Sequence, residues 1–419
     1  MALLILCLLL CGPAACSRSQ KPQPQSAAQP GQTWPQFRGP GGTGAAPAGE
    51  SFPRDWDGAT GRGILWKAAL PAGGHSSPIV WGDRLFLTGE ANGQCRIVCF
   101  SCATGDVLWD LPAVPTPERE MPAMSGGLCA PTPATDGERV YALFATGDVV
   151  CADFAGHALW KRHLCDPVNS FGLCSSPILW KETVILQLDQ GNTQDEGLSV
   201  LVALDKRSGN PLWSTERSVP NSWSTPILIE HAGRHELITC ANPFVITYDP
   251  DTGREFWRVK GLDGEVVPMP AYSASAGLVF AANAGASLLA IAPGGSGDVT
   301  GTRVAWTAKE GLPSMASPLT DGRRLLLCAE GDLTCYDANA GTLLWRQKAG
   351  ESFWASPALA GGAVYLPEQM GKVFIFEIGE GYKLLSRPDV KDEITASPAF
   401  AGGRIYLRTR RSLFCIGSK

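Results

Sequence analysis

At 419 residues the chain has room for two or three ordinary domains or for one large all-β array, and its 35 basic and 40 acidic residues leave a net charge of −5. That near-balance excludes the strongly basic face of a nucleic-acid binder. Hydrophobic residues make up 44%, enough for a core, while 48 Gly, 32 Pro and 13 Trp point to many short strands and turns rather than helices.

The first segment, MALLILCLLLCGPAAC, is apolar, too short to span a bilayer comfortably, and ends in small residues. That is the pattern of an export signal, here over residues 1–15. Pro13-Ala14-Ala15-Cys16 resembles the lipobox of bacterial lipoproteins, which implies lipidation of Cys16. Two features depart from that pattern: no Lys or Arg precedes the apolar run, and Pro13 stands where a larger aliphatic residue is usual. By the same resemblance, Ser17 rather than Asp after the cysteine favours the outer membrane. Residues 16–33 are polar and Pro/Gln-rich, cannot bury apolar area, and read as a flexible tether. Residues 34–62 open with WPQFRGP and read as a strap that packs Trp34 and Phe37 against the downstream chain.

From residue 63 the chain repeats. A proline after small residues recurs at Pro78, Pro133, Pro177, Pro226, Pro270, Pro318, Pro357 and Pro398, at intervals of 39 to 55 residues. A short apolar run, a Gly or Asp turn and a second run come after each, as in SPIVWGDRLFLTG. A tryptophan recurs at Trp66, Trp109, Trp160, Trp213, Trp257, Trp306 and Trp345, with Leu385 in the eighth place. Units of roughly 45 residues with four short strands predict propeller blades, whose apolar faces are buried only against neighbours. The expectation is an all-β, eight-bladed β-propeller over residues 63–419. ILWKAAL at residues 64–70 should complete the last blade and close the ring. The tryptophans should dock each outer strand onto the next blade.

The repeats resemble the PQQ-type (pyrrolo-quinoline quinone) propeller repeat, approximately A-x-D-x-x-T-G-x-x-x-W. Ala203, Asp205, Ser208, Gly209 and Trp213 fit it, as do Asp249, Thr252, Gly253 and Trp257, and Asp337, Gly341 and Trp345. Thr104, Gly105 and Trp109 match with Ser101 in place of Asp; Asp153, Gly156 and Trp160 match with one residue deleted. WPQFRGP resembles the N-terminal signature of exported PQQ-like repeat proteins common in planctomycetes and related bacteria. The resemblance has two functional branches. Quinoprotein dehydrogenases clamp PQQ between a Trp and a disulfide of adjacent cysteines, bind calcium through Glu and Asn, and use an Asp as base. The BamB lipoprotein is a non-enzymatic scaffold in outer-membrane protein assembly. Here no two cysteines are adjacent, and no Glu/Asn/Asp set recurs at matching repeat positions.

Three residues before each anchoring proline the chain should enter the innermost strand, which places His75, Ala130, Cys174, Trp223, Val267, Met315, Trp354 and Thr395 around the axis. His75, Cys174, Trp223, Met315 and Trp354 are the candidate cofactor- or ligand-binding residues; packing around a narrow channel is the competing reading. No carboxylate stands in the ring, so acid/base chemistry is not expected there. The acidic, Asn-containing loop DQGNTQDEG at residues 189–197 departs from the EF-hand pattern.

Setting aside Cys7, Cys11 and Cys16 leaves eleven of the fourteen cysteines, an odd number. Cys99, Cys151, Cys335 and Cys415 share the register of Ala203 and read as small buried residues. Cys99-x-x-Cys102 tempts a zinc or redox reading, but Cys95 and Cys99 lie about 13 Å apart on a straight strand and cannot both join one ion with it. Cys328 and Cys335 are candidates for a cross-hairpin disulfide. His231 and His235 flank a Gly-containing segment and read as a hairpin tip; His157 and His163 have no evident partners. The function expected is a monomeric, non-catalytic, protein-binding scaffold in the cell envelope, held to the membrane by its lipid alone. No cofactor, metal or nucleic acid is expected, and the loops at residues 111–129 and 189–199 should face the partner. The alternatives are a PQQ- and calcium-dependent oxidoreductase and a carbohydrate-binding propeller using Trp223 and Trp354.

Overall fold

The computed structural model describes residues 31–117 and 127–418. The expected signal segment and Cys16 lie outside those residues, as does the middle of the 111–129 loop. Eight antiparallel sheets stand around one axis. In blade 1 the strands Ile79–Trp81, Arg84–Ala91, Gln94–Ser101 and Val107–Pro115 run from the axis outward. Blades 2 to 7 repeat that order. Blade 8 is built from Ala399–Ala401, Arg404–Arg408 and Ser412–Ile416, and its outermost strand is Ile64–Ala69 from the beginning of the repeats. Trp66 pairs with Cys415 there, so the ring is closed by hydrogen bonds rather than left with a free edge. The protein is an all-β, eight-bladed propeller. Among the described residues no helix is long and apolar enough to cross a membrane.

Each recurring residue has a physical reason. The repeat Asp closes its turn: Asp205 Oδ1 accepts from the N–H groups of Arg207 and Ser208 at 3.1 and 2.7 Å. Ser101 does the same for Ala103 and Thr104 where it replaces Asp. The Ser208 bonds hold the Asp205 carboxyl below its usual range. The repeat Gly is needed twice over. Gly105, Gly156, Gly209, Gly253 and Gly341 have φ between 68° and 90°. A Cβ on them would lie 2.4–2.7 Å from the rings of Trp66, Trp109, Trp160, Trp213 and Trp306 of the preceding blade. The tryptophan therefore lies flat where the next blade has no side chain. Trp66, Trp109 and Trp160 also donate Nε1–H to carbonyls of that blade at 2.9–3.0 Å, and Trp345 donates to Gly379 at 3.2 Å.

Trp257 joins the core that blade 4 shares with blade 5 but has no glycine seat there. It is fully buried, donates Nε1–H to Glu236 of its own blade at 2.8 Å, and its strand is covered by Gly297–Asp298 in parallel pairing. The reason is that blade 5 replaces the Thr-Gly turn with the longer excursion that carries Gly297 and Asp298. The cysteines in the Ala203 register each sit opposite a tryptophan: Cys99 with Trp109, Cys151 with Trp160, Cys335 with Trp345 and Cys415 with Trp66. The cross-hairpin disulfide is not formed, because the register sets Cys328 against Leu333 and Cys335 against Leu326.

The strap spans the far ends of the innermost strands. Thr33–Trp34 adds to blade 1 beside Ile79–Trp81. Thr135 of blade 2 donates to the Pro35 carbonyl at 2.8 Å, and Leu359 of blade 7 donates to Gly44 at 2.8 Å. Phe52 meets Phe400 of blade 8 edge-on at 5.2 Å. Trp34 and Trp56 are buried.

Candidate functional site: the axial funnel

The eight positions three residues ahead of the prolines line one cavity of about 130 Å³ on the axis. His75, Ala130, Cys174, Trp223, Val267, Met315, Trp354 and Thr395 form its upper ring, and Phe37 of the strap also lines it. His75 is half-buried, with Nδ1 2.8 Å from Thr395 Oγ1. Burial, with the charge of Arg408 behind it, lowers the His75 pKa, so the ring is neutral at pH 7. Trp223 is 5% exposed, donates Nε1–H to Asn169 at 2.8 Å and packs against Phe171 at 5.2 Å. Trp354 is half-buried. Burial pushes the Cys174 thiol up to about 12. Among the described residues no ionised nucleophile and no carboxylate lines the cavity.

Below that ring runs a second one that sequence reasoning did not single out, although its signal was the residue just before each proline. Ser77, Thr132, Ser176, Thr225, Ser317, Ser356 and Ser397 are 2–5% exposed and line the same cavity. Each hydroxyl accepts a backbone N–H from the neighbouring blade at 2.9–3.2 Å. The belt is interrupted at Met269 of blade 5, which has no hydroxyl to offer Thr225. The strap fills in there: a Cβ at Gly42 would lie 3.1 Å from Met269 Cε.

Beside the funnel, the loop predicted to face a partner is anchored at its root. Asp189 accepts from Arg217 Nε at 2.7 Å and Nη2 at 3.1 Å, with both side chains fully buried. Ser222 Oγ and Gln187 Nε2 donate to the same carboxylate at 2.6 and 2.7 Å. Burial alone would lower the Arg217 pKa, but Asp189 and Tyr248 outweigh it and hold the guanidinium above its ordinary range. Glu196 is used within the loop, accepting from Asn192 and Thr193 at 2.8 and 3.0 Å. The acidic groups of DQGNTQDEG therefore do not converge on an ion site. Among the described residues no group of three His, Cys, Asp or Glu is placed to hold a metal. Cys99 and Cys102 lie in different cores, and His235 packs against Trp180 at 4.6 Å with the rings tilted by 55°.

These features define a PQQ-like repeat propeller, with a cavity on its axis and specific loops on the funnel face. The chain belongs to the family described as outer membrane protein assembly factor BamB, which matches residues 54–221, 196–317 and 244–417. BamB from Moraxella catarrhalis has a similar fold, with TM-score 0.63 at 14% identity over 85% of this chain and 97% of that one. So do a europium-containing methanol dehydrogenase, with TM-score 0.57 at 12% identity over 93% and 98% of the two chains, and the quinohemoprotein alcohol dehydrogenase of Comamonas testosteroni, with TM-score 0.57 at 12% identity over 94% and 82%. No curated protein sequence matches. At these identities the structural likenesses establish the fold alone.

The residues present do not fit the calcium–PQQ arrangement that the sequence resemblance implied. Calcium takes six to eight oxygens, mostly carboxylate and carbonyl, and the cavity is lined by hydroxyls, a thiol, an imidazole and apolar groups. Its volume of about 130 Å³ is below the several hundred Å³ typical of cofactor clefts.

Proposed function

We propose that this propeller is a non-catalytic docking scaffold of the cell envelope, exported and lipid-anchored at Cys16, that binds a protein partner on its funnel face. The observation that supports this is the anchored loop. Val168 and Leu198 are 48% and 39% exposed. Val168 donates its N–H to Gln190 at 3.0 Å and accepts from Gly191 at 2.7 Å. Ser199 bonds Gln190 and Val219, and the Asp189–Arg217 pair holds the root. Apolar side chains open to water on a rigid support suit protein binding, because little conformational freedom is lost on docking. Assembly of outer-membrane proteins is the role in the matching family's description, and it supports an envelope partner for this chain.

The rival reading, a quinone-dependent oxidoreductase, draws on the likeness to the two dehydrogenases, and the axial cavity among the described residues does not suit it. The carbohydrate reading loses one of its two platforms, since Trp223 is 5% exposed and its indole N–H is already bonded. The test pairs two measurements. Photo-crosslinking from position 198 in envelope fractions should yield one discrete adduct that disappears in Val168→Asp, with the fold unchanged by circular dichroism. Titration with PQQ and calcium should give no saturable tryptophan quenching; one-to-one binding at micromolar or better would overturn the scaffold reading.

A further inference from the structure

The axial cavity is lined by proton donors that the fold does not use. Each hydroxyl of the belt, from Ser77 round to Ser397, gives one lone pair to a backbone N–H of the neighbouring blade. A hydroxyl also carries one O–H, and none of these O–H groups donates to an acceptor among the described residues. The side chains are 2–5% exposed and line the cavity, so the O–H groups open onto it. Two buried cations flank the same space. Arg408 is 1% exposed and donates through Nη1 to the carbonyl and the hydroxyl of Ser76, one residue ahead of the belt, at 3.0 and 2.7 Å. Its Nε and Nη2 have no partner among the described residues. Arg38 follows Phe37, which lines the cavity from the strap side, and is 2% exposed. Its Nη2 reaches the Thr43 carbonyl at 3.4 Å, and its Nε and Nη1 have no partner among the described residues. No carboxylate is placed against either guanidinium among the described residues, and burial lowers both to about 10.

We propose that the axial cavity is a binding site for a small inorganic anion, a halide or a tetrahedral oxyanion. Charge decides the sign of the ligand. Each belt hydroxyl keeps a second lone pair that suits a cation, but a hard cation asks for carboxylate and carbonyl oxygens, and here it would stand between two buried positive charges. An anion accepts the O–H groups of the belt in charge-assisted bonds. It also offsets the desolvation cost of burying a guanidinium without a counter-charge. Size sets the upper limit. The cavity of about 130 Å³ equals roughly four water volumes of about 30 Å³ each. A bromide or a phosphate ion with part of its hydration shell fits that space, whereas a nucleotide does not. The site lies on the axis, so the inference is independent of the docking reading, which rests on the loop beside the funnel.

The test is bromide binding by the full chain. Sodium bromide replaces sodium gluconate, whose anion is too large for the cavity, at constant ionic strength while thermal unfolding is followed by calorimetry. Expected is a saturable rise in the midpoint, reaching about 3 °C when bromide stands at about a hundredfold its dissociation constant. Saturation separates a site from the general action of salts on protein surfaces. The titration is repeated with tetramethylammonium in place of sodium and should give the same curve. Crystals soaked in sodium bromide should show an anomalous peak in the axial cavity, within hydrogen-bond distance of belt hydroxyls. Arg38→Met and Arg408→Met, made separately so that one folded variant suffices, should each weaken bromide binding about tenfold. No saturable rise, a rise that follows sodium rather than bromide, anomalous peaks on the outer surface alone, or unchanged bromide affinity in a folded arginine variant would overturn the proposal.

Discussion

Replacing Asp189 by Ala tests whether the funnel-side loop is held by charge. The carboxylate and the Arg217 guanidinium are both fully buried and joined by bonds of 2.7 and 3.1 Å. Ser222 and Gln187 complete the acceptor side, and Thr239 and Tyr248 bond Arg217 Nη1 at 2.8 and 3.0 Å. Removing one member of such a pair strands the other charge in the interior, which costs about 3–5 kcal/mol. For a chain of this size that is a fall of roughly 4–6 °C in the unfolding midpoint, from an unfolding entropy of about 2 cal/mol/K per residue. Replacing both partners together, as Asp189→Leu with Arg217→Met, removes both desolvation penalties. The double variant should therefore recover about 2 kcal/mol or more relative to the sum of the singles. Urea unfolding followed by circular dichroism, with hydrogen exchange at residues 189–199, reads both quantities. A loss under about 1 kcal/mol for Asp189→Ala, or strict additivity in the cycle, would refute the argument that this pair anchors the loop.

Two further outcomes come from the same geometry. Gly209→Ala places a Cβ 2.6 Å from the Trp160 ring on a backbone with φ 68°. It should cost about 2 kcal/mol or more in urea unfolding and shift Trp160 fluorescence, whereas Gly233→Ala, at φ 76° in open space, should cost only the backbone term of about 1 kcal/mol. The His75 pKa lies below its unfolded value of 6.5, through burial first and the charge of Arg408 second. The unfolded chain therefore takes up the proton first as pH falls. The associated stability is complete above pH 6.5 and is lost as pH drops through the lower folded value. His75→Gln should flatten the slope of stability between pH 6.5 and 5 relative to the parent chain; an unchanged slope would refute that assignment.

Much of the molecule was readable before folding. The spacing of proline and tryptophan located eight blades and the strand that closes them, because blade geometry is local and repeats in register. The same register placed eight residues around the axis. What escaped was aperiodic or reached across the ring. The hydroxyl belt was visible as Ser or Thr before proline, yet its bonds join residues 39 to 320 positions apart, as from Ser397 to Ser77. The flat seating of tryptophan on the next blade's glycine needed the neighbouring blade in place. Trp257 escaped the pattern because the excursion that replaces the Thr-Gly turn of blade 5 folds back to pair with its strand, a contact between blades that the repeat does not encode.

By itself, then, the sequence determined the ring: the number of blades, their strand order, the closure through Ile64–Ala69 and the neutral lining of the axis. These come from the alternation and turn chemistry written into every copy. Only the tertiary structure decided which side chains meet. It joined Asp189 to Arg217 and brought Phe37 of the strap to the axial cavity. Such contacts depend on how neighbouring blades and the strap dock, and a one-dimensional period carries no information about partners outside its own repeat.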